Sequence, residues 1–469
     1  MRAPCLSRGR PIFRPAPGGC GRTEKTDTIK KYDPMNIRKS LLGLAALICG
    51  LTAAAQEGYR PAPENLEARA RFSDNRFGIF LHWGLYAMHG QGEWGMTWQN
   101  IHYREYEKLA GGFCPASFDA EAWVTAFREA GARYICITSR HHDGFSMFHT
   151  AQSPYNIVDA TPFGRDVLKE LADECHRQGI ALHFYYSLID WWREDAPRGF
   201  TGRGTGRPDD TVDFDAYMNF MKAQLTELLT NYGEVGAIWF DGVWDQNENP
   251  GFDWRLGELY SLIHSLQPAC LVINNHHLTP FEGEDAQTFE RDLPGENTAG
   301  MSGQEVSRLP LETCQTMNGT WGYSITDRNY KPSDELIRYL VRAAGLGGNL
   351  LLNIGPRPDG RIPEMALERL SDMGEWLRSN GETVYATEAG PVAPSEWGVT
   401  TRRGNRIFVH IFDSSAEELL VPIKDEKVRR AIRFADGSKV AFRQNDEGVT
   451  LVLGERPASV DFIVELTVR

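Results

Sequence analysis

The chain is short of cysteine, of long apolar runs and of positive charge, and each shortage removes a class of protein. Its 469 residues include eight cysteines. Five of them (Cys114, Cys136, Cys175, Cys270 and Cys314) follow residue 55, odd in number and scattered in spacing. That speaks against a disulfide framework or a zinc knuckle and predicts buried free thiols. The apolar run at residues 41–51 is shorter than the roughly 20 residues that a membrane-spanning helix needs. The formal charge is −13, and residues 1–55 hold ten Lys/Arg against three Asp/Glu, so the remainder is near −20. An acidic body argues against nucleic acid and against membrane as partners. No glycine-rich phosphate loop follows the first strand-like segment, which argues against a nucleotide-binding open sheet. No internal repeat, low-complexity segment or His-x-His spacing is present.

What is present begins with a leader. Arg38-Lys39, the apolar run 41–51 and Ala53-Ala54-Ala55 before Gln56 predict a cleavable secretory signal. Residues 1–55 are therefore read as leader and signal peptide, with Met35 as the true start and a periplasmic or secreted location. Leu47-Ile48-Cys49 lacks the small residue wanted before a lipid-anchored cysteine.

From about residue 73 to 385, apolar strand-like runs alternate with amphipathic stretches. The runs are 77–81, 134–138, 181–187, 235–240, 270–273, 287–289, 313–317 and 349–354. Helix-length stretches at 118–131, 166–179 and 214–232 fall between them, with Ala120, Trp123, Val124 and Phe127 at helical spacing in the first. Eight strands alternating with helices predict a (β/α)8 barrel over residues 56–388. After about residue 390, short polar–apolar alternations are separated by turns such as Asp436-Gly437, without helical period. They predict a small antiparallel β-sandwich over 389–469.

In such a barrel the chemistry lies at the C-terminal ends of the strands. The second strand runs into Ser139-Arg140-His141-His142-Asp143-Gly144-Phe145. Two histidines and an aspartate are costly to bury, and by themselves suit a metal site, an acid/base site or a clamp for a polar ligand. The other strand ends carry His82-Trp83-Gly84, Tyr185-Tyr186-Ser187, Trp239-Phe240-Asp241-Gly242, Asn274-Asn275-His276-His277, Phe289-Glu290-Arg291 and Trp321-Gly322-Tyr323.

In their order these segments resemble glycoside hydrolase family 29, the retaining α-L-fucosidases. Arg76 to Gly84, Glu93-Trp94, 130–134, His141 to Phe145, Tyr185 to Ser187, Trp239 to Gly242, Trp321 to Tyr323 and 347–356 carry the resemblance. It implies a metal-free, cofactor-free enzyme that removes terminal α-L-fucose from a fucosylated oligosaccharide or glycoconjugate. It implies Asp241 as nucleophile. It implies Glu290 as acid/base, within a stretch Asp285-x-x-Thr288-x-Glu290. Rivals for that role are Glu312, then Glu282, Glu284 and Asp285. His82, Glu93, Trp94, His141, His142 and Tyr186 are expected to bind fucose hydroxyls, with Trp239, Trp321 or Phe80 around its methyl group. Asp143 is expected to orient the loop. Where the family often has an arginine after the fifth strand, this chain has His276-His277. Three readings remain beside this one: an exo-glycosidase for a related 6-deoxy or galactose-like sugar, a non-catalytic fucose-binding protein, and a metal hydrolase built on His141, His142, Asp143 and Asp241.

Overall fold

Eight parallel strands enclose a core whose inward side chains recur with period two. The computed structural model describes residues 58–413, 415–454 and 459–469. The leader and its signal sequence lie outside the described residues. The strands are β1 (Phe77–Leu81), β2 (Tyr134–Arg140), β3 (Ala181–Ser187), β4 (Ala237–Asp241), β5 (Leu271–Asn275), β6 (Gln287–Glu290), β7 (Leu311–Thr316) and β8 (Gly348–Ile354). All eight coincide with the apolar runs read from the sequence. Their order, β5-β4-β3-β2-β1-β8-β7-β6, leaves one seam. Between β5 and β6 the only strand pairing is a bridge, Ile273 to Ala286. Side chains help close the gap. Asp285 accepts from the Val272 amide at 2.7 Å, and Asn275 donates to Glu290 at 2.8 Å.

Helices Ala120–Glu129, Val167–Gln178 and Phe214–Asn231 form where expected. Asp119, Asp166 and Asp213 cap them by accepting from a backbone amide three residues on. Helices Leu256–Leu266, Ser333–Gly345 and Glu364–Asn380 cover β4–β5, β7–β8 and the chain after β8. The expected alternation fails twice. Among the described residues no helix lies between β5 and β6 or between β6 and β7. Those connections are rich in Gly, Pro, Asp and Ser, which favour loops over an amphipathic face.

Helix Pro63–Asn75 precedes the barrel. Its Phe72 belongs to the same buried cluster as the inward residues Phe80, Tyr134, Tyr185, Trp239 and Cys314, so it closes the end opposite the strand tips. Of the five cysteines, four are buried; Cys114 is exposed, contrary to expectation. No helix among the described residues is long and apolar enough to cross a membrane.

From Glu388 the strands are antiparallel. One sheet has five strands, β9 (Glu388–Ala389), β10 (Gly398–Arg403), β11 (Arg406–Ile411), β13 (Val428–Arg433) and β16 (Phe462–Val468). The other has three, β12 (Glu418–Val421), β14 (Ala441–Asn445) and β15 (Gly448–Val452). Val409, Val464, Val421 and Leu451 from the two sheets share one buried cluster, as in a sandwich. Val399 and Phe412 join the barrel's cluster instead and dock the sandwich onto it.

Gly78 on β1 shows how tightly the barrel is filled. A Cβ there would sit 2.4 Å from the buried Tyr134 ring. Gly78→Ala is expected to lower stability by about 1–3 kcal/mol through overpacking, read from the urea midpoint at unchanged m-value.

Candidate active site

The strand tips surround a cleft enclosing about 390 Å³, lined by His82, Glu93, Trp94, His141, His142, Tyr185, Trp239, Asp241, Trp244, Asn275, Glu290, Cys314 and Trp321. Nine of the eleven residues picked from the sequence are there. Phe80 is buried against the His82 and Trp239 rings and does not line the cleft. Tyr186 is the other exception. It is fully buried, its hydroxyl donates to Gln224 of a covering helix, and Arg140 stacks on its ring. The cause is strand alternation. Tyr185 pairs with Trp239 and Ser187 with Asp241, so Tyr185 shares the inward phase and Tyr186 faces outward. Phasing the Tyr-Tyr pair against Asp241 would have identified Tyr185.

The histidines are held as hydrogen-bond acceptors. Asn353 donates through Nδ2 to the Trp321 carbonyl, which fixes its orientation, so its Oδ1 accepts from His82 Nδ1 at 2.6 Å. His82 Nε2 is thereby left bare. Ser187 donates its hydroxyl to the Ile189 carbonyl and accepts from His142 Nδ1 at 2.7 Å, which leaves His142 Nε2 bare too. Burial drives the His82 pKa down to about 4 and that of His142 to about 3, and it also lowers His141. All three are neutral at physiological pH. No hydrogen-bond partner lies at buried His141 Nδ1 among the described residues. A ligand rich in hydroxyls supplies what such a wall lacks. Glu93 is tied down by the Gly322 amide at 2.7 Å, and burial raises its pKa.

The loop that carries these histidines depends on Gly144. Its φ is +76°, and a Cβ would meet the Asp190 carboxylate at 2.5 Å. Asp190 is itself paired with buried Arg140. Asp143 lies outside the pocket lining, accepting from Tyr106 and the Phe145 amide. That fits a loop-orienting role.

Two carboxylates meet at the pocket floor. Asp241 Oδ2 accepts from Tyr185 at 2.9 Å, and its Oδ1 accepts from Trp244 Nε1 at 2.9 Å. Asn275 Nδ2 lies 3.4 Å from Asp241 Oδ1 and 2.8 Å from Glu290 Oε2. One amide nitrogen thus bridges the two carboxylates. Burial, then the neighbouring Glu290 charge, raises the Asp241 pKa to about 6. Burial pushes Glu290 the same way, but the hydrogen bond and charge of His277 at 3.1 Å, the Asn275 hydrogen bond and the Arg291 charge together outweigh it and hold Glu290 below its ordinary value. His277 is raised in turn: burial pulls it down and Glu290 more than restores it. His142 Nε2 faces Asp241 Oδ2 at 3.6 Å. A bare nitrogen and a carboxylate both accept, so a hydrogen must come between them, from a ligand hydroxyl or from Asp241 when protonated.

The rival carboxylates lie elsewhere. Glu312 is one layer deeper in the barrel, two residues before the pocket residue Cys314, and accepts from Tyr134 at 2.6 Å and Trp239 at 2.8 Å. Asp285 is bound to Arg69 and His264 beside the Val272 end of β5. Glu284 is buried against Tyr260 and His276, and Glu282 meets the Tyr59 amide. The pocket residues Tyr185, Trp244, Asn275 and Cys314 and the flanking His277 were not singled out from the sequence. Asn275 and His277 stand in a polar run at a strand's end, which was the available signal.

A barrel with two buried carboxylates sharing one amide donor, inside an aromatic and imidazole wall, has the architecture of a glycoside hydrolase. The profile of the Alpha-L-fucosidase family matches residues 47–382. The chain belongs to the α-L-fucosidase family of glycoside hydrolases. It is 30% identical to an alpha-L-fucosidase of Branchiostoma floridae over 74% of this chain and 79% of that protein. It is 26% identical to the human tissue alpha-L-fucosidase over 89% and 93%. Alpha-L-fucosidase isoenzyme 1 from Paenibacillus thiaminolyticus superimposes with TM-score 0.77 at 33% identity, covering 87% of this chain and 100% of that one. A family 29 enzyme from Bacteroides thetaiotaomicron superimposes with TM-score 0.75 at 27% identity over 89% and 98%. That enzyme was trapped as a covalent intermediate with 2-fluoro-fucosyl fluoride in a glutamate-to-glutamine mutant.

Burial raises the Glu312 pKa to about 7. A raised carboxyl favours the neutral form in the folded state, so its contribution is complete below the unfolded pKa and is lost as pH rises through about 7. Glu312→Gln is therefore expected to flatten the fall in Tm between about pH 4.5 and 8 and to retain activity, as checked by thermal melts and aryl-glycoside assays.

Proposed function

We propose that the protein is a retaining α-L-fucosidase that uses Asp241 as nucleophile and Glu290 as acid/base on the terminal fucose of a glycan or glycoconjugate. The observation that carries this is Asn275 bridging Asp241 and Glu290, which brings two buried carboxyl groups to one site, as double displacement requires. Asp241 Oδ2 attacks the anomeric carbon and forms a glycosyl ester. A proton passes to the departing oxygen, and Glu290 then takes a proton from the water that hydrolyses the ester. The mutated glutamate of the trapped relative supports a glutamate in the second role.

The order of the two carboxyl pKa values is the reverse of the one their roles suggest. Asp241 is raised and Glu290 is lowered. The proton that the leaving group needs resides on the Glu290–His277 pair and reaches Glu290 across their 3.1 Å hydrogen bond. His82, His141 and His142 accept from sugar hydroxyls, and Trp239 and Trp321 offer faces for the C6 methyl group. Export, with cleavage before Gln56, belongs to the same proposal; N-terminal sequencing of the exported protein checks it.

Asp241→Ala is expected to abolish fucose release from an aryl α-L-fucoside, with partial rescue by azide. Glu290→Ala should lose roughly 10²–10⁴-fold on poor leaving groups and far less on activated ones. Full activity of Glu290→Ala on a poor leaving group would refute its assignment. Because Asp241 must be ionised to attack, kcat/KM is expected to fall as pH drops below about 6. The His277 charge lowers the Asp241 pKa, so His277→Ala should move the acidic limb of the kcat/KM profile to higher pH.

A further inference from the structure

An unbroken series of aromatic rings leads out of the pocket. Trp244, whose Nε1 holds the Asp241 carboxylate, stacks on Trp94 with ring centres 5.8 Å apart and planes 20° apart. Trp94 stacks in turn on Trp98 at 6.0 Å and 27°. Phe200 lies against the other flank of Trp244 at 5.8 Å. Trp94 and Trp244 line the pocket; Trp98 and Phe200 lie beyond it, 65% and 39% exposed. An isolated exposed aromatic needs no explanation. Two exposed rings, one stacked on the wall of a sugar pocket and one tilted against it, do.

The platform is also rigid. Trp98 ends the short helix Gly95–Trp98, and the Gly202 amide donates to Thr97 beside it at 3.0 Å. The Phe200 amide bonds the Asp245 carbonyl at 3.0 Å, and the Thr201 amide bonds the Asp245 carboxylate at 2.8 Å. Loops following β1, β3 and β4 are thus latched together, and the rings are ordered before any ligand arrives. The same β3–β4 loop walls a neighbouring open cleft, lined in part by Gly199, Thr201 and Gln246.

We propose that Trp98 and Phe200 form a subsite for the sugar that carries the fucose, so that the enzyme selects a saccharide aglycone by stacking. The inference rests on the fucosidase reading. Asp241 marks where the anomeric carbon lies, and Trp244 is bonded to Asp241, so the platform starts close to that carbon. A pyranose presents axial C–H groups on one face, and these pack against the electron-rich face of an indole. No base-like or charged contact is required, so the subsite favours a neutral ring.

The test compares two substrates. α-L-Fucosyl fluoride has no aglycone ring; the best-cleaved member of a panel of fucosylated di- and trisaccharides has one. Trp98→Ala is expected to lower kcat/KM on the oligosaccharide roughly ten-fold, with the fluoride changed less than about two-fold and Tm unchanged. Trp98→Phe should restore most of the loss, and Phe200→Ala should show the same selectivity. Equal losses on both substrates, or no loss on the oligosaccharide, would overturn the subsite. Wild-type protein that releases no fucose from the fluoride would overturn the fucosidase reading, and the subsite with it.

Discussion

Desolvation at the floor of the barrel mouth is the constraint around which the rest of the structure is arranged. Asp241 and Glu290 lie within reach of one amide, away from water, where two negative charges cannot be held together without compensation. Tyr185, Trp244, Asn275 and His277 supply it with hydrogen bonds and one shared proton. The neutral imidazoles add acceptors without adding charge. The surrounding fold tolerates groups that burial disfavours because reactivity depends on that disfavour.

Much of this was legible in the residues. The eight strand runs were visible because a barrel strand is covered on both faces and reads as a near-continuous apolar segment. His82, the His141–His142 pair, Asp241 and Glu290 stood out because polar groups closing apolar runs have to be explained. The Tyr185–Tyr186 pair misled because two like residues in succession hide the phase of the strand, which becomes evident only once Ser187 is paired with Asp241. Asn275 and His277 were harder. Their importance comes from which carboxylate oxygen each reaches, and that depends on contacts across the barrel. The missing helices around β6 follow from loop composition, which a count of strands alone overlooks.

Glu312 illustrates a different principle. Read along the chain it was a plausible acid, since it stands beside a strand of the barrel. In space it is a core residue whose two oxygens are both satisfied, by Tyr134 and Trp239. A raised pKa is therefore no sufficient sign of chemistry. Glu312 has one without facing the pocket, whereas Glu290 faces the pocket and is held low. Access to the reacting atoms separates the two.

The seam between β5 and β6 separates the two carboxylates mechanically. Asp241 belongs to a continuous run of backbone ladders from β8 through β5, so its position moves only with the whole wall. Glu290 lies across the gap, on a four-residue strand laddered to β7 alone and linked to β5 by one bridge and a few side chains. Breathing of a cylinder concentrates where its wall has the fewest bonds. Such a motion here widens or narrows the gap between the two carboxylates directly. The barrel thus has one densely bonded side, which holds Asp241, and one sparsely bonded side, which holds the carboxyl group of the proposed acid/base.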